Sequence, residues 1–297
     1  MTLLVSRVTH TRFVPHRRAI EDDFATIREN YATPKNPIVL AHGLLGFDEL
    51  HLAGRFLPGV QYWRGITDTM RANGMEIITT SVPASASIEE RAAKLGQDIA
   101  NKAKGKRVNI IAHSMGGLDA RYMVSCLRPE KVDVLSLTTI ASPHRGSSFA
   151  DFCLEEIGAS HIPRIYRAFE SMGFGTGAFE QLTQKYMQEE FNPKTPDNPE
   201  VRYFSYGATI QPTLWSVFRG SHSVVERLEG PNDGLVSVES AKWGIYQGTL
   251  VDVSHLDLIN WTNRLRWWIG RISGKKRRFN AIAFYLDIAD MLAQEGL

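Results

Sequence analysis

The sequence predicts an α/β fold, a mostly parallel central sheet with helices on both faces, and three observations predict it. Apolar runs rich in β-branched residues recur along the chain, as strands buried on both faces require. Segments of helical periodicity separate those runs, the alternation that builds parallel crossovers. The stretch Arg107-Val-Asn-Ile-Ile-Ala-His-Ser114-Met-Gly-Gly-Leu118 passes from a strand-like run, through a serine set among small residues, into a helical pattern.

The elements follow in order. Pro37–His42 reads as a buried strand, then Glu76–Val82, Arg107–His113, Val134–Ala141, Val201–Thr209 and Thr249–Val253. Helical segments fall at Ile66–Asn73, Ser87–Ala103 and Leu118–Leu127, the second opening with Ser87 three residues before Glu90, a capping box. Residues 147–200 break the alternation. This insert is helical in pattern, contains the glycine-rich Gly173–Gly177, and ends in the proline-rich loop Asn192–Pro199. A long excursion between core strands is where a cap over a site would lie; a subdomain that only covers the sheet is the alternative. The chain, 1–297, is expected to form a single domain with this insert and a C-terminal tail from about residue 261. That tail sets Trp261, Trp267 and Trp268 beside Lys275–Arg278, which suits a membrane or lipid-droplet interface. The alternative is an aromatic helix packed on the core, since Ala281, Phe284, Tyr285, Ile288 and Leu292 recur at helical spacing.

Composition narrows the classes. Hydrophobic residues make up 43% and charged residues 22% of the chain, as in ordinary globular proteins. A net charge of +2 gives no electrostatic basis for binding nucleic acid. No apolar run is long enough for a transmembrane helix. Cys126 and Cys153 form no disulfide framework and no metal cluster, and both are expected as small buried hydrophobes in a reducing compartment. Residues 1–20 carry Arg7, Arg12, Arg17 and Arg18 and no acid. That is the composition of a mitochondrial presequence, or of a basic arm packed on the domain. The protein is therefore expected inside the cell, in cytoplasm or mitochondrion.

The serine junction carries the chemistry. Small residues around Ser114, with Ala112 and Gly116 flanking it, are what a strained strand-to-helix turn needs to raise a nucleophile above the sheet edge. A serine hydroxyl needs a base, an orienting carboxylate and oxyanion donors. The glycine-rich loop His42-Gly-Leu44 after the first strand and the residue after the serine offer the N–H groups of Leu44 and Met115 as an oxyanion hole. Asp233, in the turn Asn232-Asp-Gly234, is the candidate acid, and His255, after the last strand, the candidate base. His42, His113 and His144 lie in the loops as hydrogen-bonding neighbours. His222 is a reserve base, and Asp252 and Asp257 are reserve acids close in sequence to His255.

Taken together in order, these motifs resemble the bacterial triacylglycerol lipases of the lactonising type and their intracellular fungal relatives. The matching stretches are His42–Asp48, Tyr62–Ile66, Arg91, Ala112–Gly117, Ser142–Ser147 with Ala150-Asp151, Asn232–Val236 and His255–Asp257, spanning roughly residues 36–262. The resemblance implies an α/β-hydrolase fold, a triad of Ser114, Asp233 and His255, and oxyanion donors at Leu44 and Met115. It also implies a helical lid after Ser147 that opens at a lipid surface, and an arginine, Arg91, that braces the oxyanion loop. Secreted members hold a calcium near the histidine loop. Here only Asp257 matches a ligand, Trp261 stands where glutamine is expected, and no second aspartate precedes Asp233 at the family spacing, so no metal is expected. No cofactor is expected either. The implied activity is a serine carboxylic ester hydrolase cleaving acylglycerols through an acyl-enzyme on Ser114. A phospholipase or an acyltransferase using the same triad is the alternative, and a non-catalytic lipid-binding relative a third.

Overall fold

The computed structural model describes residues 19–44, 62–84, 86–158, 179–214, 216–261 and 279–297. Seven strands form one sheet: β1 (Ala19–Ile20), β2 (Ile38–Ala41), β3 (Ile77–Thr79), β4 (Arg107–His113), β5 (Asp133–Ile140), β6 (Arg202–Thr209) and β7 (Ile245–Val251). Their order across the sheet is β1-β7-β6-β5-β4-β2-β3, and every pairing is parallel. All the strands therefore end at one edge, where loops collect.

Alternate residues of the central strands feed two cores. Ile38, Leu40 and Ile111 pack with Phe204, Tyr206 and Phe284 on one face. Val39, Ala41, Ile110 and Ala112 pack with Ala92, Leu95 and Ile99 on the other. Because both faces are apolar, these strands read as unbroken hydrophobic runs rather than alternating ones. The helices α1 (Ile66–Ala72), α2 (Ile88–Ala103), α3 (Gly116–Tyr122), α4 (Ser148–Gly158), α5 (Arg219–Leu228), α6 (Val238–Ala241) and α7 (Ala281–Gln294) complete the described architecture. The predicted cap of α2 is present: Ser87 Oγ accepts the Glu90 N–H at 3.2 Å.

Several expectations are corrected. The last strand begins at Ile245, four residues before Thr249, and ends at Val251 rather than Val253. Its inner residues Tyr246, Gly248 and Leu250 alternate with more exposed ones, so a strand lying toward the sheet border lacks the apolar run that marks the central ones. The strand β1 pairs Ala19 with Thr249 and Ile20 with Leu250. Only two residues long, it carries no periodicity a sequence could reveal. The helix expected over Leu118–Leu127 starts two residues earlier and turns into a π-helical segment at Met123–Leu127. Cys126 lies in that wider turn and is exposed, whereas Cys153 is buried as expected. The extra residue per turn carries position 126 off the packed face, and its thiol donates to the Lys194 carbonyl at 3.3 Å. Asn192–Lys194, expected as loop, is a helical turn; Pro193 is its second residue, within the first turn, where a missing N–H has no intrahelical partner to lose.

Part of the insert is helical as expected: α4, then turns at Gln184–Tyr186 and Met187–Phe191. The segment Gly173–Gly177 lies outside the described residues, as do residues 1–18 and the basic run 262–278. In the described part of the tail the packed alternative holds. Ala281, Phe284, Tyr285, Ile288 and Leu292 are all fully buried, and Phe284 meets Phe24, Tyr206 and Phe279 edge-on or tilted. Asp287 and Asp290 of α7 bind Arg28 at 2.5 and 3.1 Å, clamping the segment after β1 to this helix.

Candidate active site

Four loops meet at the carboxyl edge of the sheet, the place where parallel α/β sheets hold their sites. β4 delivers Ser114, β2 delivers His42–Leu44, β6 leads toward the turn of Asp233, and β7 leads to His255. Backbone bonds join the last two: Ile210 N–H donates to the Asn232 carbonyl at 2.9 Å and Val253 N–H to the Thr209 carbonyl at 2.9 Å.

Ser114 has φ +56°, the strained left-handed conformation of a nucleophile elbow. Its N–H is held by the Ile140 carbonyl at 2.9 Å. The crossing of loop and elbow leaves no room for side chains. A Cβ on Gly116 would sit 2.6 Å from the Ala41 carbonyl oxygen, and one on Gly43 would sit 2.7 Å from Ser114 Cβ. Close packing thus explains the small residues in the motif, and it brings the Leu44 loop against the serine. Neither Leu44 nor Met115 donates its N–H in the hydrogen bonds of the described residues.

Asp233 is fully buried, and its two oxygens divide the work. Oδ1 accepts the N–H groups of Leu235 and Val236 at 3.0 and 2.9 Å, a local turn cap. Oδ2 faces His255 Nδ1 at 2.7 Å, and the His255 N–H donates to the Asp233 carbonyl at 3.0 Å. The turn chemistry that makes Asn-Asp-Gly ordinary in sequence is therefore what aims the carboxylate. The reserve residues are elsewhere engaged: Asp257 Oδ2 accepts from Ser254 N–H and Oγ at 3.0 and 2.6 Å, and His222 Nε2 lies 3.1 Å from the Ile210 carbonyl. Asp233 is the carboxylate hydrogen-bonded to the His255 ring.

No hydrogen bond joins Ser114 Oγ to His255. The ring of His113, the residue before Ser114, has its centroid 4.5 Å from that of His255. Catalytic contacts in ligand-free sites are commonly longer than in the working complex.

Beneath this surface lies a layer of buried polar groups. Arg91 is wholly buried; its Nε and Nη2 donate to Asp119 Oδ2 at 2.9 and 2.7 Å, Nη2 also to the His42 carbonyl at 3.0 Å, and Nη1 to the Pro83 carbonyl at 2.8 Å. It thus holds the carbonyl just ahead of Gly43 and Leu44, the place where the resemblance puts it. Tyr62 is a participant that sequence reasoning quoted in a motif without a role. Its hydroxyl accepts the Gly43 N–H at 3.0 Å and lies 2.6 Å from His113 Nδ1. Burial raises the phenol's pKa, so it stays protonated and donates its single hydrogen to Nδ1. That bond assigns the His113 proton to Nε2. One phenol therefore links the Gly43 loop to the histidine beside His255. The aromatic identity of Tyr62 was the only available signal, because the link depends on contacts across many residues of chain.

Three buried histidines are kept neutral. Burial, then the charge of Arg91, lowers His42 from 6.5 to about 4. Burial first, with the charges of His255 and Arg121 adding respectively, holds His113 and His144 well below the usual range. Keeping these histidines neutral makes the fold sensitive to acid. These histidines bind protons more readily unfolded than folded, so their contribution is full above about pH 6.5 and is lost as pH falls toward 4. For His42 alone that loss is about 3 kcal/mol. Asp119 acts in the opposite sense, because burial outweighs Arg91 and lifts it to about 6, which favours the fold as pH falls below that value. Three groups oppose one, so the Tm is expected to be lower at about pH 4.5 than at about pH 7.5. An equal or higher Tm in acid would refute this reading.

Comparison with known proteins shows what the chain is similar to. Residues 37–200 match the family model described as palmitoyl protein thioesterase. The chain is 38% identical to triacylglycerol lipase 2 of Saccharomyces cerevisiae over 92% of its own length and 96% of that protein's. It is 26% identical to the triacylglycerol lipase of Pseudomonas fragi, covering 88% of this chain and 97% of that one. Among solved structures, the Staphylococcus hyicus lipase superposes with TM-score 0.62 at 22% identity, over 91% of this chain and 98% of that chain. The mature Bacillus licheniformis lipase does so with TM-score 0.62 at 19% identity, over 84% and 96%.

Proposed function

Because the chain belongs to the triacylglycerol lipase family of the α/β-hydrolases, and is thereby a carboxylic ester hydrolase, we propose that it cleaves acylglycerol esters through an acyl-enzyme on Ser114. The observation that supports this reading is the 2.7 Å contact between Asp233 Oδ2 and His255 Nδ1, beside which stands the left-handed φ of +56° at Ser114. Ser114 Oγ attacks the acyl carbonyl while His255 Nε2 takes its proton. Asp233 holds the Nδ1–H tautomer and stabilises the imidazolium. The tetrahedral oxyanion forms against the N–H groups of Leu44 and Met115, at the helix start of α3. His255 then returns the proton to the departing glycerol oxygen, and the acyl-enzyme remains. A water, deprotonated by the same imidazole, attacks the acyl carbonyl and releases the fatty acid and Ser114.

The substrate is a lipid ester, and the enzyme works at a lipid surface inside the cell. Two unbridged cysteines support a reducing compartment. Among the described residues no helix is long and apolar enough to cross a membrane, and the attachment proposed is peripheral. The match to the thioesterase family model makes acyl thioesters the second class to compare. The test is product analysis with triolein, phosphatidylcholine and palmitoyl-CoA, with and without added alcohol. Free fatty acid from triolein, exceeding that from the other two, is the expected outcome. Preferential thioester cleavage, phospholipid cleavage, or acyl transfer to the alcohol would replace this assignment.

A further inference from the structure

Two consecutive peptide groups join His42 to Leu44, and together they carry four polar groups. The first peptide is held at both ends. Its carbonyl, on His42, accepts from Arg91 Nη2 at 3.0 Å, and its N–H, on Gly43, donates to the Tyr62 hydroxyl at 3.0 Å. The second is held at one end: its carbonyl, on Gly43, lies 2.9 Å from His42 Nδ1. Its N–H belongs to Leu44 and donates in none of the hydrogen bonds of the described residues. Three of the four groups are thus committed, and the fourth is the one read as a donor to the oxyanion.

The His42 ring holds the Gly43 carbonyl from a defined tautomer. Val82 N–H donates to Nε2 at 3.1 Å, so Nε2 presents its lone pair. Burial and the charge of Arg91 keep the ring neutral, so its one hydrogen stands on Nδ1 and is donated to the Gly43 carbonyl. The ring is buried and bonded at both nitrogens, which fixes its plane. A trans peptide is planar, and its carbonyl and N–H point in opposite directions. Holding the Gly43 carbonyl on the ring therefore turns the Leu44 N–H to the far side of that peptide. Gly43 itself lies against the nucleophile: a Cβ there would come 2.7 Å from Ser114 Cβ and 3.2 Å from its Oγ.

We propose that His42 is a positioning residue for ester hydrolysis: by holding the Gly43 carbonyl, it sets the orientation of the Leu44 N–H that meets the oxyanion. This rests on the reading of Ser114 as nucleophile and Leu44 as oxyanion donor. The ring touches no reacting atom and takes no proton in the cycle. Its effect precedes the substrate, because a donor already aimed needs no reorganisation when charge develops.

Two substitutions separate the two ring nitrogens. In His42→Asn the amide NH2 stands in the place of Nδ1, so the Gly43 carbonyl keeps a donor while Val82 loses its acceptor. In His42→Gln the longer side chain carries its amide oxygen to the place of Nε2, so Val82 keeps its acceptor while the Gly43 carbonyl loses its donor. Turnover is measured on a soluble short-chain ester, per site titrated with a fluorophosphonate. His42→Gln is expected to lose roughly a hundredfold in kcat with little change in KM, the scale of one lost oxyanion donor, and His42→Asn to stay within roughly tenfold of the parent. A trifluoromethyl ketone supplies a second readout. Ser114 Oγ adds to its carbonyl carbon, the serine proton passes to His255, and the carbonyl oxygen becomes an oxyanion. Affinity for this ketone is expected to fall in step with kcat in His42→Gln. A role confined to the fold would cost both variants alike, since each loses one buried hydrogen bond. Equal losses of kcat, a greater loss from His42→Asn, a change in KM alone, or unaltered ketone affinity in His42→Gln would each overturn the proposal. If His42→Gln does not fold, His42→Ala, which lacks both groups, takes its place with the same outcomes. Undiminished hydrolysis by Ser114→Ala would instead count against the function itself, whereas the failures above, in a parent that depends on Ser114, count against His42 alone.

Discussion

Ser114→Ala is expected to fold like the parent and to lose ester hydrolysis by roughly four to six orders of magnitude in kcat, the range seen when a triad nucleophile is removed. The fold is spared for a physical reason. The Ser114 hydroxyl donates no hydrogen bond that the structure depends on, and alanine meets the same backbone strain at φ +56° that serine already bears. Reaction with a fluorophosphonate probe should vanish in the same variant. Asp233→Asn sharpens the test. An amide in place of Oδ2 presents hydrogens to His255 Nδ1 and favours the wrong tautomer, for which a loss of roughly ten-thousandfold in kcat is expected. Its Oδ1 can still accept from Leu235 and Val236, so the turn should survive. Near-normal turnover by either variant on a soluble ester would remove the triad assignment.

Arg91→Met is expected to cost about 3–5 kcal/mol of stability, because it strands a buried carboxylate. Arg91 and Asp119 are both essentially inaccessible, and Asp119 Oδ1 has no other partner. The carbonyls of His42 and Pro83 lose their donor at the same time. A fall in Tm of about 10 °C is the corresponding readout for a chain of this size. Pairing Arg91→Met with Asp119→Leu should recover much of the stability, since apolar pairs replace buried ion pairs with little loss. It should not restore kcat, because the His42 carbonyl ahead of the oxyanion loop remains unheld. Recovery of both together would show that Arg91 serves only the fold.

The legibility of this protein divides along a physical line. Central strands were readable because a strand buried on both faces is apolar in its middle, as Ile38–Ala41 and Ile110–Ala112 are. The border strand Ile245–Val251 was misplaced because half of its residues face outward and one is glycine. The two-residue β1 could not be read at all, since its pairing with β7 is the whole of its identity. The serine turn was legible for a steric reason: Gly43 and Gly116 leave no space for a Cβ, so composition records the crossing directly. Cys126 was misjudged because a π turn changes which side of a helix faces the core, and nothing local announces it.

By itself the sequence determined which central segments become strands, where the chain turns sharply at the serine, and which residue types stand at that turn. Each depends on short-range sterics, hydrogen bonding and the burial each segment needs. Only the tertiary structure decided which carboxylate meets His255. Asp252 and Asp257 are nearer along the chain, but the register of β6 against β7 and the turn at Asn232 carry Asp233 to the ring. It likewise decided that Tyr62 joins Gly43 to His113 and that Arg91 holds the His42 carbonyl. Contacts between residues remote in sequence are set by how the sheet stacks its loops along one edge, and linear spacing does not encode that distance.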